Sequence, residues 1–185
     1  MERSVTSLAL GLSNVYGFIG ISTDAKGYWL PNDEGRIDGT STNSNAFGFA
    51  IEDLDLGMVV MLGLPAPAKG LGLGTYVGLY ASMDTMGLVN IPGVTSEIRS
   101  FQFEANQGFS TDANALSVVD FSRSTYLDYN EIEQQGYAIE TGDPRNPIVL
   151  GYDQRLISLQ GIVELNLFDL IQFEGGIALE INESG

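Results

Sequence analysis

The sequence predicts an all-β fold, because hydrophobicity alternates along much of the chain, glycine is frequent and helical periodicity is scarce. The alternation is clearest near the carboxyl end, where two runs meet at a phase slip at Asp169 or Leu170. The alternating positions that are apolar or glycine are Leu159, Gly161, Val163, Leu165 and Leu167, then Ile171, Phe173, Ile177, Leu179 and Ile181. A period of two is typical of a strand with one dry face and one wet face. We therefore expect these runs to be two strands of one sheet.

Similar alternation predicts the remaining strands. They are expected, in chain order, at residues 4–22 (as one strand or two), 46–62, 75–83, 88–91, 94–106, 137–140 and from 148 onward. Residues 126–135 offer the one credible helical turn. The whole of 1–185 is expected to form a single all-β domain of about nine strands with at most one short helix. Alternation is common to several all-β architectures, and a sandwich-like or a solenoid-like antiparallel sheet would both fit.

Composition excludes several classes of function. The chain has 24 acidic and 8 basic residues, for a net charge of −16, and this field repels nucleic-acid phosphates and anionic lipid. It contains no cysteine and no histidine, which excludes disulfides, thiolate nucleophiles, Ser-His-Asp triads and histidine-ligated zinc within this chain. No run of about 18 apolar residues is present, so no transmembrane segment is expected. A cysteine-free, acidic chain suits an exported bacterial protein, extracellular or at the cell surface.

An acidic stretch is the best candidate for a metal site. Residues 23–45 are rich in Gly, Asn and Asp and are expected to form a long loop. Within this loop Asp24, Asp33, Glu34 and Asp38 offer the hard oxygen ligands that Ca²⁺ prefers, although their spacing does not match an EF-hand. A Ca²⁺ site and a solvated surface loop both remain open. No other cofactor is expected.

Some aromatic and acidic side chains are candidate ligand or catalytic groups. Tyr28 and Trp29 could stack on sugar rings, or could lie over the edge of the core. Acidic residues that alternate along predicted strands, such as Asp53 with Asp55, are expected on a wet face. A glycosidase pair would instead need a cleft and a defined separation between its two carboxylates. The chain is therefore predicted not to be an enzyme.

Several phrases follow one another in a characteristic order along the chain. They are VYGFIGI at 15–21, the Asp/Gly/Asn loop at 24–45, AFGFAIEDLDLGM at 46–58, YVGLYA at 76–81, GLVNIPG at 87–93, VVDF at 118–121 and the strand pair at 161–175. This order resembles one unit of the tandem repeats in giant, acidic, secreted bacterial surface proteins, the adhesin-like large exoproteins. The resemblance implies a structural role without catalysis, in a surface stalk, matrix fibre or adhesin.

The sequence thus favours a non-catalytic structural module of an extracellular bacterial fibre, matrix or adhesin. Its expected partners are copies of itself or neighbouring repeat units, joined through strand edges or end to end. Two alternatives stay open. One is a carbohydrate- or ligand-binding β-sandwich that uses Tyr28 and Trp29, and the other is a lipid-handling β-groove whose alternating strands enclose an apolar trough.

Overall fold

A six-stranded antiparallel sheet with the strand order β1-β2-β3-β4-β9-β10 dominates the structure. This computed structural model describes residues 5–64, 72–110 and 118–183, so the other residues of the expected domain lie outside the described part. The strands of this sheet are β1 Val5–Ser22, β2 Ala46–Gly63, β3 Gly74–Val89, β4 Val94–Ser110, β9 Arg155–Leu167 and β10 Ile171–Glu183. The prediction of an all-β fold is confirmed.

Four short strands and one helical turn lie between β4 and β9. β5 Thr125–Leu127 pairs with β6 Glu133–Gln135, and β7 Tyr137–Ile139 pairs with β8 Ile148–Leu150. A 3-10 helix, Phe121–Arg123, precedes them. In the described part of the chain this three-residue turn is the only helix, and no helix there is long and apolar enough to cross a membrane.

The helical turn expected at 126–135 is wrong, because these residues form the β5–β6 hairpin. The Asp128 carboxylate accepts hydrogen bonds from the backbone N–H groups of Asn130 and Ile132, at 2.9 and 3.0 Å. Glu131 takes a left-handed conformation, with φ of 62°. An Asp side chain that bonds the backbone two and four residues ahead offers the chain a turn in place of a helix.

The long alternating runs are strands with the expected phases. β9 and β10 form a hairpin that closes at the Leu167–Ile171 pair, and Phe168 and Asp169 in its turn have φ of 53° and 57°. Two positive φ values suit the tight turns that match the twist of a hairpin. Residues 4–22 contribute the single strand β1, and residues 88–91 contain the end of β3 rather than a separate strand.

Strand pairing sorts the sheet's side chains into two faces, here named the apolar face and the polar face. β9 and β10 pair without a break, so alternate residues of β9 identify each face along its whole length. The apolar face includes Leu8, Leu10, Leu12, Ile19, Ile21, Phe49, Ile51, Leu56, Met58, Val60, Leu62, Val77, Leu79, Met83, Leu88, Ile98, Phe101, Phe103, Phe109, Ile157, Leu159, Val163, Leu165, Phe173, Ile177, Leu179 and Ile181. The polar face includes Ser7, Glu52, Asp55, Ser82, Glu97, Arg99, Gln102, Glu104, Ser158, Gln160, Glu164, Glu174 and Glu180.

The described core lies on the polar face, beneath residues 118–154. Phe121, Ile139 and Leu150 are almost completely buried there, and they pack with Val59 and other residues of the central strands. The sheet makes room for them with glycine. A Cβ atom added to Gly78 would lie 2.6 Å from the Phe121 ring. Small residues in the sheet and large side chains in its cover therefore build this core together.

Both ends of this covering segment are tied to one buried side chain. Asn106 on β4 is fully buried, and its amide group donates hydrogen bonds to the carbonyl oxygens of Val119 and Gln154, each at 2.9 Å. The two acceptors lie at the start and the end of the segment. Since a buried polar group needs partners, this side chain aligns the segment with the sheet.

Candidate functional site

The apolar face is the most unusual surface of the described structure. Its side chains along both outer strands are open to solvent: Leu8 is 74% exposed, Ile19 81% and Ile181 57%. The two long connections that the structure describes, residues 23–45 and 118–154, both pack on the polar face. An apolar surface that spans six strands is much larger than a monomeric protein usually leaves exposed. Such a surface indicates a contact with something else.

Charge is nearly absent from the apolar face. The strand register places two charged residues of the described part on this face, Arg155 and Glu183, which pair with each other at one end of the sheet. The Nε of Arg155 donates a hydrogen bond of 2.9 Å to Gln107 there. The other acidic residues of the sheet lie on the polar face or in the bulges that interrupt it. The strands therefore separate charge from apolar surface almost completely.

The two outer strands provide a second candidate contact. β1 has 18 residues and β10 has 13, and each pairs with only one neighbour in the sheet. An edge strand presents a row of backbone donors and acceptors to any other chain that approaches it. Because all six strands are antiparallel, β1 and β10 run in opposite directions. The first and last strands of the sheet can therefore pair with each other between copies as antiparallel neighbours.

In the acidic loop, two of the four predicted ligands, Asp24 and Asp38, are engaged in local hydrogen bonds. The Asp24 carboxylate accepts hydrogen bonds from Ser22 Oγ at 2.5 Å and from Asn43 Nδ2 at 2.9 Å, and the Ser22 bond is the leading reason that the pKa of Asp24 lies below its usual range. The Asp38 carboxylate accepts hydrogen bonds from the hydroxyl and the backbone N–H of Thr40. These bonds lower the pKa of Asp38, the hydroxyl bond most strongly.

The other two predicted ligands face solvent. Glu34 lies 3.9 Å from the exposed Arg36, and Asp33 is exposed in the turn beside it. Within the described ranges, no group of three or more acidic side chains gathers in a way that would hold a metal ion. The hydrogen bonds of Asp24 and Asp38 account for the shape of the loop, and Ca²⁺ binding there stays a prediction.

Tyr28 and Trp29 cover one end of the polar face. Trp29 is 8% exposed, its ring contacts Tyr16 edge-on at 5.1 Å, and its Nε1 donates a hydrogen bond of 3.1 Å to the Gly17 carbonyl. Tyr28 stacks on Phe18 at 5.8 Å, and burial raises its pKa. This arrangement matches an aromatic lid over the sheet. A sugar platform would need these rings to face solvent, so the described geometry does not favour one.

Sequence reasoning missed a group of acids at the middle of the polar face. Glu52, Asp53, Asp55 and Asp84 lie together there, between the two covering segments. Burial is the main cause that raises the pKa of Glu52 and of Asp53, and neighbouring carboxylates raise both further. Asp53 has φ of 52°, and this interruption of the strand brings adjacent acids to one place. Alternation along one strand predicts only that these acids lie on a wet face. The bulge at Asp53 and the pairing of β2 with β3 bring them together.

The acids of the outer polar face are paired with a single cation. Arg99 Nη2 lies 2.9 Å from Glu174 and 3.2 Å from Glu164, and Arg99 Nε lies 3.3 Å from Glu97. Glu164 and Glu174 face each other across the β9–β10 pair. Their carboxylates are therefore parts of an ion-pair network around Arg99.

Comparison of the chain with family models, with curated proteins and with solved structures gave no match. The two faces and the two edges of the sheet are therefore the features that bear on function.

Proposed function

We propose that the protein is a non-catalytic structural module of an extracellular bacterial fibre, matrix or adhesin. In this proposal modules join through their strand edges, with β10 of one copy pairing with β1 of the next. The observation that carries the proposal is the pair of long outer strands, which run antiparallel to each other at opposite edges of one sheet.

Pairing of β10 with β1 would extend the sheet and keep both its antiparallel strand directions and its two faces. An even number of antiparallel strands lets the next copy begin in the direction that β10 requires. When the copies face the same way, Leu179 and Ile181 come beside the β1 side chains Leu8, Leu10 and Leu12. The apolar and polar faces then continue from copy to copy. A contact of this head-to-tail kind generates an open filament.

Composition also supports a structural role. The lack of cysteine and histidine removes several catalytic arrangements. Of the acids of the sheet, Glu97, Glu164 and Glu174 pair with Arg99, and others are grouped around Glu52. The net charge of −16 repels approaching copies, and salt screens that repulsion. We therefore expect assembly to be stronger at 0.5 M than at 0.02 M NaCl.

Light scattering and electron microscopy of the purified protein would test edge pairing, with proline variants of β10 as controls. Successive N–H groups of an edge strand point alternately towards and away from its neighbour. Gly175 and Gly176 are successive residues of β10, so the N–H of one bonds β9 and the N–H of the other points outward. Proline at the first kind of position removes a hydrogen bond to β9, and proline at the second removes only the outward N–H. We expect the outward variant to keep the wild-type Tm and lose its filaments. Filaments that persist in that folded variant, or a wild-type protein that never exceeds a dimer, would overturn edge pairing.

The apolar face favours one second candidate, the lipid-handling surface. Its leucine, isoleucine, valine and phenylalanine side chains could cover acyl chains as readily as protein. Mass spectrometry of protein purified without detergent would show stoichiometric bound lipid if this function is correct. Lipid-free protein that keeps its fold would remove this candidate.

A further inference from the structure

The chain exposes more surface than a compact monomer of its mass. The chain exposes 11523 Å² to solvent. A compact monomer of this mass, 19.9 kDa, is expected to expose about 8,700 Å². The difference, on the order of 2,800 Å², is the area that one or more extensive contacts would remove. The apolar face is the surface whose burial would be most favourable.

The side chains of the apolar face suit dry packing against another sheet. They are mostly leucine, isoleucine, valine, phenylalanine, methionine and alanine. The polar or charged positions lie mainly at one end, at Thr6, Thr75, Gln107, Arg155 and Glu183, with Ser96 towards the other end. Two such sheets interdigitate at a separation of about 10 Å, with their strands within about 30° of each other. A second identical face offers a surface of matching size and chemistry.

Among its described residues the same face has none of the aromatic groups that hold a protein at a water–lipid boundary, and its one basic residue is Arg155 at one end. Tryptophan and tyrosine gather at such boundaries because they join an apolar ring to a polar atom, and lysine and arginine reach the headgroups. The single tryptophan and the eight tyrosines of this chain lie on the polar face or in its covering segments. This distribution favours protein over lipid as the occupant.

Charge also favours a second copy. Apart from Glu183, which pairs with Arg155 at one end, the acidic residues of the sheet lie away from the apolar face, on the opposite side or in bulges. Two chains of −16 that meet through their apolar faces would therefore place those carboxylates outward, separated by both sheets. Like charges at that distance are largely screened at physiological salt.

We propose that two copies of this chain pack face to face through their apolar faces and complete a two-layer β-sandwich. The face is about 29 Å wide across six strands and about 43 Å long over 13 residues, from ordinary strand spacings. It would bury on the order of 1,200 Å² per copy, which lies in the range of obligate homodimers. Face packing leaves β1 and β10 free at the edges, so it goes beyond the edge pairing proposed above and does not depend on it.

Variants with the same added charge on either face of the outer strands would show which face carries the contact between copies. Leu8→Glu with Leu179→Glu places two new charges on the apolar face, at side chains that are already 74% and 52% exposed in one copy. Ser7→Glu with Ala178→Glu places the same two charges at the adjacent, exposed positions of the same strands on the polar face. Both pairs are made in the Gly175 or Gly176 proline variant that stays folded, so that edge pairing is suppressed.

Sedimentation velocity from 0.1 to 100 µM would measure the result. The parent and the Ser7/Ala178 variant are expected to be dimers, whereas the Leu8/Leu179 variant is expected to dissociate with a Kd at least about 100-fold higher, since buried unpaired charges are costly. Circular dichroism would establish that each variant is folded. A parent that is monomeric at 100 µM without bound lipid would overturn the proposal, as would equal dissociation constants for the two folded variants. Stoichiometric lipid on a monomeric parent would overturn it in favour of lipid.

Single cysteines provide a second readout, because the chain has none of its own. Ala81→Cys on the apolar face and Ser82→Cys on the polar face are adjacent positions of β3, near the centre of the sheet, where the two copies overlap for either direction of the two-fold axis. A bismaleimide of about 10 Å reach, chosen to match the sheet separation, is expected to join copies through Ala81→Cys and not through Ser82→Cys. Equal cross-linking at both positions would contradict face-to-face packing and indicate random encounter.

Discussion

A sheet usually buries its apolar face and exposes its polar face, and here the two faces are reversed. The polar face is covered by residues 23–45 and 118–154, whereas the apolar face is open along both outer strands. The cover brings its own large side chains, Phe121, Ile139 and Leu150, and the sheet receives them with small residues such as Gly78. A strand pattern therefore shows which face is apolar, but the packing of other segments decides which face is buried.

The comparison would be tested most strongly by truncating one leucine on each side of the sheet. Leu150 belongs to the cover and is fully buried against the polar face, whereas Leu179 is 52% exposed on the apolar face. Leu150→Ala is expected to lower the free energy of unfolding by about 2–5 kcal/mol through lost burial and the cavity that remains. Leu179→Ala should lower the free energy of unfolding of the monomer by less than about 1 kcal/mol, because this side chain is already half exposed. Chemical denaturation at low protein concentration measures both, and equal losses would contradict the assignment of the core.

A smaller effect is expected from filling the space that the polar face leaves for its cover. A Cβ atom at Gly78 would lie 2.6 Å from Phe121 and 2.8 Å from Leu150. Gly78→Ala should therefore destabilise the protein by about 1–3 kcal/mol through overpacking. Gly176 is also on the polar face, but nothing lies within 4 Å of a Cβ atom there. Gly176→Ala should leave the Tm within the error of a melting curve. A loss of stability in Gly176→Ala equal to that in Gly78→Ala would show that close packing against Phe121 and Leu150 does not cause the destabilisation.

The smallest expected effects are on the pH dependence of stability. They have opposite signs for Glu52 on the polar face and Asp24 in the loop that covers it. Burial raises the pKa of Glu52 in the folded protein, so its charged form opposes folding above that pKa and the opposition is relieved as pH falls through it. Hydrogen bonds lower the pKa of Asp24, so its stabilisation is full above the unfolded pKa of 3.8 and is lost as pH falls further. At pH 7, Glu52→Gln should raise the Tm and Asp24→Asn should lower it.

Melting curves between pH 3 and pH 8 would sharpen this contrast. The difference between Glu52→Gln and the wild type should shrink as pH falls towards 4.5, and that between Asp24→Asn and the wild type should shrink below 3.8. Two variants that change the Tm in the same direction at pH 7 would show that the two carboxylates do not differ as described.

Much of the fold could be read from the chain because strand periodicity is local. The run from Leu159 to Ile181 contains its own apolar positions and its own turn, and both are confirmed by the β9–β10 hairpin. The helical turn expected at 126–135 was wrong because Asp128 competes for backbone N–H groups there. The acid cluster around Glu52 was missed because its members come from two strands and meet at a bulge at Asp53. Such a meeting depends on pairing register, which no single segment specifies.

The sequence by itself determined the all-β class, the long strands and the separation of apolar from acidic residues, because each of these follows from a period of two along one strand. The acidic charge and the lack of cysteine and histidine were determined in the same way. Only the tertiary structure decided that residues 118–154 cover the polar face and that β1 and β10 become the two edges. The physical reason is that covering and pairing join residues far apart in the chain, such as Asn106 with Gln154. Those contacts depend on shape, glycine spacing and buried hydrogen bonds rather than on the hydrophobic period.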